Sequence, residues 1–188
     1  MATSQQQVPQ ESNSVLIAKY DHAVKRNARV LSKFSHKQTC NLNRARKYIS
    51  TKRNATWDWQ DKIYVPHTRT NYAEKHTHGC GYVKWLSKRW ASHADDTFRT
   101  YVELQEPRNA ICHVFGGYCT EALAVSRCES GHSHSVNAHN GQYLGMFQMG
   151  SSEREKYGHG NTPLEQAVAA YAYFVDSGKD WSPWSCKP

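Results

Sequence analysis

The chain has 188 residues, enough for one domain of ordinary size plus a smaller unit, with a buried core. Its longest unbroken apolar run, residues 167–175, is nine residues, well short of the roughly 20 that cross a bilayer, so no membrane span is expected. The net charge of +8 is unevenly shared: residues 1–105 hold 18 Lys and Arg against 8 Asp and Glu, whereas residues 106–188 hold 6 against 8, which gives the two parts different surfaces and makes the first attractive to anionic polymers.

The opening "MATSQQQVPQESNS" has neither a basic n-region nor an apolar h-region, and no secretory signal is expected from it. From Ser14 to about Ser35, apolar residues (Leu16, Ile17, Tyr20, Val24, Val30, Leu31, Phe34) recur at mostly helical spacing among Lys and Arg, the pattern of a basic amphipathic helix. Residues 50–80 show no sustained hydrophobic period and read as irregular or partly disordered. From Tyr82 to Leu104 the spacing of Val83, Trp85, Leu86, Trp90, Phe98, Tyr101 and Val102 predicts further helix, ending before Pro107. Pro107 marks the expected boundary between a basic, partly helical region, 1–106, and a second domain, 107–188.

In that second part the punctuation is sharper. Thr120 is placed to cap a helix through "EALAVSRCES", with Gly131 just beyond its end as the left-handed residue. Thr162-Pro163-Leu164-Glu165 is a capping box with proline at the first helical position, and Leu164, Val168, Tyr171, Ala172 and Val175 follow a 3.6-residue period up to Gly178. Between the two helices, "NGQYLGMFQMG" carries an Asn140-Gly141 turn signal and near-alternating aromatics, which suits a small hairpin. The expected fold class is mainly α.

Six cysteines, at 40, 80, 112, 119, 128 and 186, form no C-x-x-C pair and match no zinc spacing; disulfides are the better reading, and their connectivity is open. Cys112 and Cys119 flank "HVFGGY", whose two glycines permit a tight return between them, while Cys40 and Cys80 pair or stay free. Eleven histidines invite a metal reading, but His132, His134 and His139 lie in a Ser/Asn/Gly-rich loop without i,i+4 placement. No metal or cofactor is expected.

Glu129 is the singular carboxylate. It falls in the last turn of the first of these helices, where the negative end of the helix dipole and neighbours such as Val125 and Cys128 favour the neutral acid. A protonated carboxyl group near neutral pH is what general-acid cleavage of a glycosidic bond requires.

Three blocks in order, "CESG", "NGQYLGMFQMG" and "AAYAYFVDSGKDWSPWSC", resemble the catalytic domain of the lysozyme-like superfamily, in particular the soluble lytic transglycosylase and resuscitation-promoting-factor branch of actinobacterial and phage wall enzymes. The resemblance runs from about Ala110 to the C-terminus. It implies helices around a groove for alternating N-acetylmuramic acid and N-acetylglucosamine, with Glu129 as the catalytic acid and a structural disulfide between Cys128 and Cys186. It also implies that Gly145 and Gln148 form the G-x-x-Q element, Gln148 offering an amide to an N-acetyl group or hydroxyl. Asn140, Tyr143 and Tyr171 are the further candidate groove contacts. Ala172 departs from the pattern, standing where longer transglycosylases often have asparagine.

No other carboxylate in this part has an evident catalytic role: Glu153, Glu155, Glu165, Asp176 and Asp180 all read as caps or solvated faces. That favours a single-glutamate scheme giving a 1,6-anhydro product, with muramidase hydrolysis of the same bond as one alternative and a catalytically silent wall-binding or virion structural module as another. The expected partners are peptidoglycan strands, with anionic wall polymers for the basic region; nucleic acid is not expected, and a monomer outside the cell or in its wall is.

Overall fold

The computed structural model describes residues 42–69 and 80–188, and the expected basic helix over 14–35 and Cys40 lie outside them. The chain divides into two compact units, one ending at Val102 and the other running Glu103–Pro188. Both are mainly helical, and the small β-structure falls in the second. No helix among the described residues is long and apolar enough to cross a membrane.

In the first unit, α1 (Leu42–Lys62) and α2 (Cys80–Glu103) are long helices. α1 corrects the irregular reading of residues 50–80 over its second half. Its buried positions, Ala45, Ile49, Thr56 and Gln60, keep a helical spacing, but half of them are polar, so a hydrophobic count misses the period. Thr56 reconciles burial with polarity by donating its hydroxyl to the Lys52 carbonyl at 2.9 Å. Ala45, Ile49, Val83, Leu86 and Trp90 form a small core, with Trp57 and Tyr82 packed against it. Cys80 is disulfide-bonded.

The second unit begins with α3 (Pro107–Phe115), whose N-cap Glu106 accepts from the Asn109 amide at 2.9 Å and whose first position is the proline. A 3₁₀ turn, Gly116–Tyr118, leads directly into α4 (Cys119–Glu129), and the Cys112–Cys119 disulfide spans that turn. Thr120 is therefore inside the helix and not its cap. The N-cap is Tyr118, which supplies no side-chain hydrogen bond, because the turn before it delivers the chain already coiled. At the other end Gly131 is left-handed at φ 68°, the His132 amide bonds to the Arg127 carbonyl and the Gly131 amide to that of Cys128, a Schellman termination.

After α4, β1 (His139–Asn140) pairs antiparallel with β2 (Tyr143–Leu144) in the register His139↔Leu144 and Asn140↔Tyr143. The two-residue turn starts at Gly141, at φ 61°, where a hairpin of this length needs a positive dihedral. α5 (Ser151–Tyr157) and α6 (Pro163–Asp176) complete the unit. The Thr162/Glu165 capping box is fully formed, and α6 ends in a second Schellman arrangement at Gly178. The buried face of α6 is set by Leu164, Ala167, Ala170 and Phe174; Ala172 and Val175, counted in its apolar period, face outward, Val175 at 43% exposure. Alanines packing closely against α3 carry more of this interface than the larger residues suggested.

The core gathers Ile111, Phe115, Val125, Phe147, Phe174, Trp181 and Trp184. The last twelve residues contain no helix or strand, yet Trp181 and Trp184 are both buried. Their indole N–H groups are satisfied, Trp181 donating to Glu121 at 2.8 Å and Trp184 to the Phe147 carbonyl at 3.0 Å. The Cys128–Cys186 disulfide closes a separation of 58 residues and ties the tail to the end of α4. In the chain-entropy account such a closure restricts the unfolded chain by about 4 kcal/mol. Replacing both cysteines by serine should therefore lower stability by about 2–5 kcal/mol, read as a reduced urea midpoint, with a wild-type midpoint arguing that tail packing alone suffices.

Candidate functional site

Glu129 is the last residue of α4, partly buried, and it lines a cleft of about 370 Å³, within the roughly 300–1,000 Å³ usual for small-molecule sites. Its Oε1 accepts a hydrogen bond from the backbone N–H of Cys186 at 2.9 Å, and Oε2 has no partner among the described residues. The same cysteine that bridges to residue 128 thus holds the carboxyl of residue 129. One oxygen is fixed by the tail, and the other is free to act.

The hairpin brings Asn140, Gln142 and Tyr143 to this cleft, the following turn brings Gln148, Met149 and Gly150, and α5 adds Ser152 and Glu153. Tyr173 from α6 and Pro183, Trp184 and Ser185 from the tail complete it. Four of the expected contacts, Glu129, Asn140, Tyr143 and Gln148, therefore converge on one cleft. Tyr143 is 44% exposed. Among the described residues the charged groups on the lining are Glu129 and Glu153, and the Arg154 guanidinium donates to the carbonyls of two lining residues, Gln142 at 2.6 Å and Met149.

Gln148 adopts the left-handed region at φ 46°, uncommon for a residue with a side chain. Its Nε2 donates to the Gly145 carbonyl at 2.9 Å, which bends the side chain over its own turn and leaves Oε1 as the atom available to a donor. The turn is closed by reciprocal Leu144–Met149 backbone bonds at 3.1 and 3.0 Å.

Two expected contacts lie elsewhere. Tyr171 packs edge-on against Phe115 with centroids 5.2 Å apart, on the core side of α6, and Tyr173 takes the cleft position. Helical geometry explains the shift, since residues two apart on a helix face different directions. Burial, followed by the charges of Glu153 and Tyr157, pushes the Tyr173 phenol above its ordinary range, so it remains a donor at neutral pH.

Gly145 is buried away from the cleft. A Cβ on it would stand 2.4 Å from Gln166 Oε1 and 2.7 Å from His159 Cε1, so glycine is required by protein packing and not by approach to a ligand. Gln166, buried on α6, is the residue sequence reasoning missed. It accepts from the Met146 amide at 3.0 Å and donates to the Val136 carbonyl at 3.0 Å, clamping the chain on either side of the hairpin. Its only sequence signal is a glutamine in an otherwise small, apolar helix.

Of the loop histidines, His134 is buried with Nδ1 3.0 Å from the Ser126 hydroxyl, and His132 and His139 are exposed. No group of three or more His, Cys, Asp or Glu among the described residues is placed to hold a metal. His139 lines a second cavity, of about 980 Å³, together with Arg154, His159 and Gln166. No family model, curated protein or solved structure significantly matches this chain.

Two predictions follow from this packing. Gly145→Ala should destabilise the protein by about 2 kcal/mol or more, because Gln166 cannot yield without releasing its backbone clamps; Gly141→Ala, with open space around it, should cost only about 1–2 kcal/mol from its dihedral. Urea unfolding of the pair separates clash from dihedral, and equal losses would remove the clash argument. The second concerns acid. Burial, then Arg108, lowers the pKa of His134 from 6.5, and burial, then Arg154, lowers that of His159. The fold favours both neutral rings, so their contribution is complete above 6.5 and is lost as pH falls below that value through the depressed folded values. The melting temperature should decline from about pH 7 to about pH 5, and His134→Asn should flatten the decline.

Proposed function

We propose that this protein cleaves the β-1,4 bond between N-acetylmuramic acid and N-acetylglucosamine in peptidoglycan strands, with Glu129 as the proton donor. The observation that carries the reading is the placement of Glu129 on one cleft with Gln148, Tyr143 and Asn140, its Oε1 held by the Cys186 amide. Amide and phenol groups beside an acid suit a neutral, hydroxyl- and acetamide-rich chain.

Glu129 gives its proton to the linking oxygen as the bond to C1 breaks. In the transglycosylase scheme the substrate's acetamido group stabilises the oxocarbenium ion, and Glu129 then takes the C6 hydroxyl proton as that oxygen closes on C1, giving the 1,6-anhydro sugar. Entry of water instead gives hydrolysis, a muramidase reaction. Glu153 on the same cleft supports this second course, since the single-carboxylate argument took it for a cap or a solvated residue. The disulfides suit an oxidising compartment, and the cell wall or extracellular space is the proposed location.

Glu129→Gln keeps shape and removes the proton, and should lower turbidity loss on cell-wall suspensions by about 10²–10⁴-fold. Equal lysis by the variant and the wild type would withdraw Glu129 from the chemistry. Binding to walls without lysis by either would make the chain a wall-binding module.

A further inference from the structure

We infer that Glu153 is a second catalytic carboxylate, one that accepts a proton from water attacking C1 and so directs the cleavage toward hydrolysis. The inference rests on the proposed glycan cleavage and names the nucleophile of that reaction.

The other carboxylates of the unit are occupied or lie off the cleft. Glu106 caps α3, Glu121 holds the Trp181 indole, and Glu165 completes the capping box of α6. Asp176 binds Lys156 at 2.6 Å and Tyr157 at 2.5 Å, and Asp180 accepts from the Ser182 amide at 3.0 Å. Glu103 and Glu155 are both absent from the cleft lining, and Glu155 is exposed. Glu153 differs from all of them: it is partly buried in the cleft, has no cation partner among the described residues, accepts from the hydroxyl of neighbouring Ser152 at 3.1 Å to each oxygen, and lies close enough to the Tyr173 phenol to act on it electrostatically. A side chain on residue 150 would fall 2.5 Å from Glu153 Oε2, so Gly150 leaves the room this carboxylate occupies.

Glu129 and Glu153 reach the cleft from different elements, the end of α4 and the first turn of α5. Two carboxylates on one glycan site permit the division of labour of a hydrolase, one acid and one base. The step balances: Glu129 protonates the departing oxygen, the bond from that oxygen to C1 breaks, a water oxygen bonds to C1, and the released water proton goes to Glu153. Exchange with solvent restores both groups.

The test is product analysis of peptidoglycan digests made in ¹⁸O-labelled water with the full-length protein. Wild type should give products carrying one labelled oxygen at C1. Glu153→Gln, checked for an unchanged melting temperature, should form them about 100-fold more slowly, with anhydro product as the remainder. Glu153→Ala with added azide should yield a glycosyl azide, since azide needs no base, a readout that a purely structural residue would not produce. Wild-type products that are anhydro throughout, or labelled product from Glu153→Gln at the wild-type rate, would overturn the assignment while leaving Glu129 in place. A wild type that leaves strands intact would remove this inference and the proposed function together.

Discussion

The site depends on a single backbone hydrogen bond, from the Cys186 N–H to Glu129 Oε1. Its donor belongs to a segment with no secondary structure of its own, which other forces must hold. Two buried indoles with satisfied N–H groups anchor the tail in the core, and the disulfide fixes it beside α4. The Lys187 ammonium adds bonds to the carbonyls of Trp181, Ser182 and Trp184. A tail ordered by these contacts presents an amide to the acid and a wall to the cleft at once.

The opposite side of the cleft is held by a different device. The hairpin has two residues per strand, too few to stand alone, and a hairpin of that length needs support from neighbouring structure. Gln166 supplies that support from within α6, bonding to backbone on both flanks of the hairpin. Its burial is affordable because its amide is satisfied at both ends, the condition under which a polar side chain belongs in a core. The capping box of α6 and its proline set the helix start and hence the depth at which Gln166 stands. Local helix signals thereby fix the position of a loop some twenty residues away.

Much of this was legible in the sequence where the cause is local. The capping box and the glycine terminations act within a few residues and mark both ends of α6 and the end of α4, and Gly141 marks the hairpin turn, although Asn140 stands in the strand before it and the start of α4 is not the expected Thr120. The mainly helical class follows from the same signals. What escaped was either carried by polar residues or decided across the fold. α1 escaped because Thr56 and Gln60 sit on its buried face, and Gln166 because its role is long-range. Tyr171 and Tyr173 share an aromatic-rich run, and only the packing against Phe115 determines which of them turns to the core. Glu153 read as a cap or solvated residue and does stand in the first turn of α5; that this turn also lines the cleft of Glu129 is decided across the fold.

The composition of the cleft constrains how its chemistry proceeds. In the proposed cleavage, charge that develops on Glu129 as its proton leaves is met by the Cys186 amide, which is aimed at its carboxyl. A donor of this kind gains strength as the oxygen it faces becomes more negative. The amide is fixed before reaction, and no reorganisation is needed at the moment of transfer. In the proposed reaction an oxocarbenium ion forming in this cleft would meet the negative charge of the two carboxylates on its lining. In that scheme proton loss from Glu129 and positive charge on the sugar reinforce each other, which makes the pairing of two carboxylates on one lining as much a part of the proposed mechanism as the acid itself.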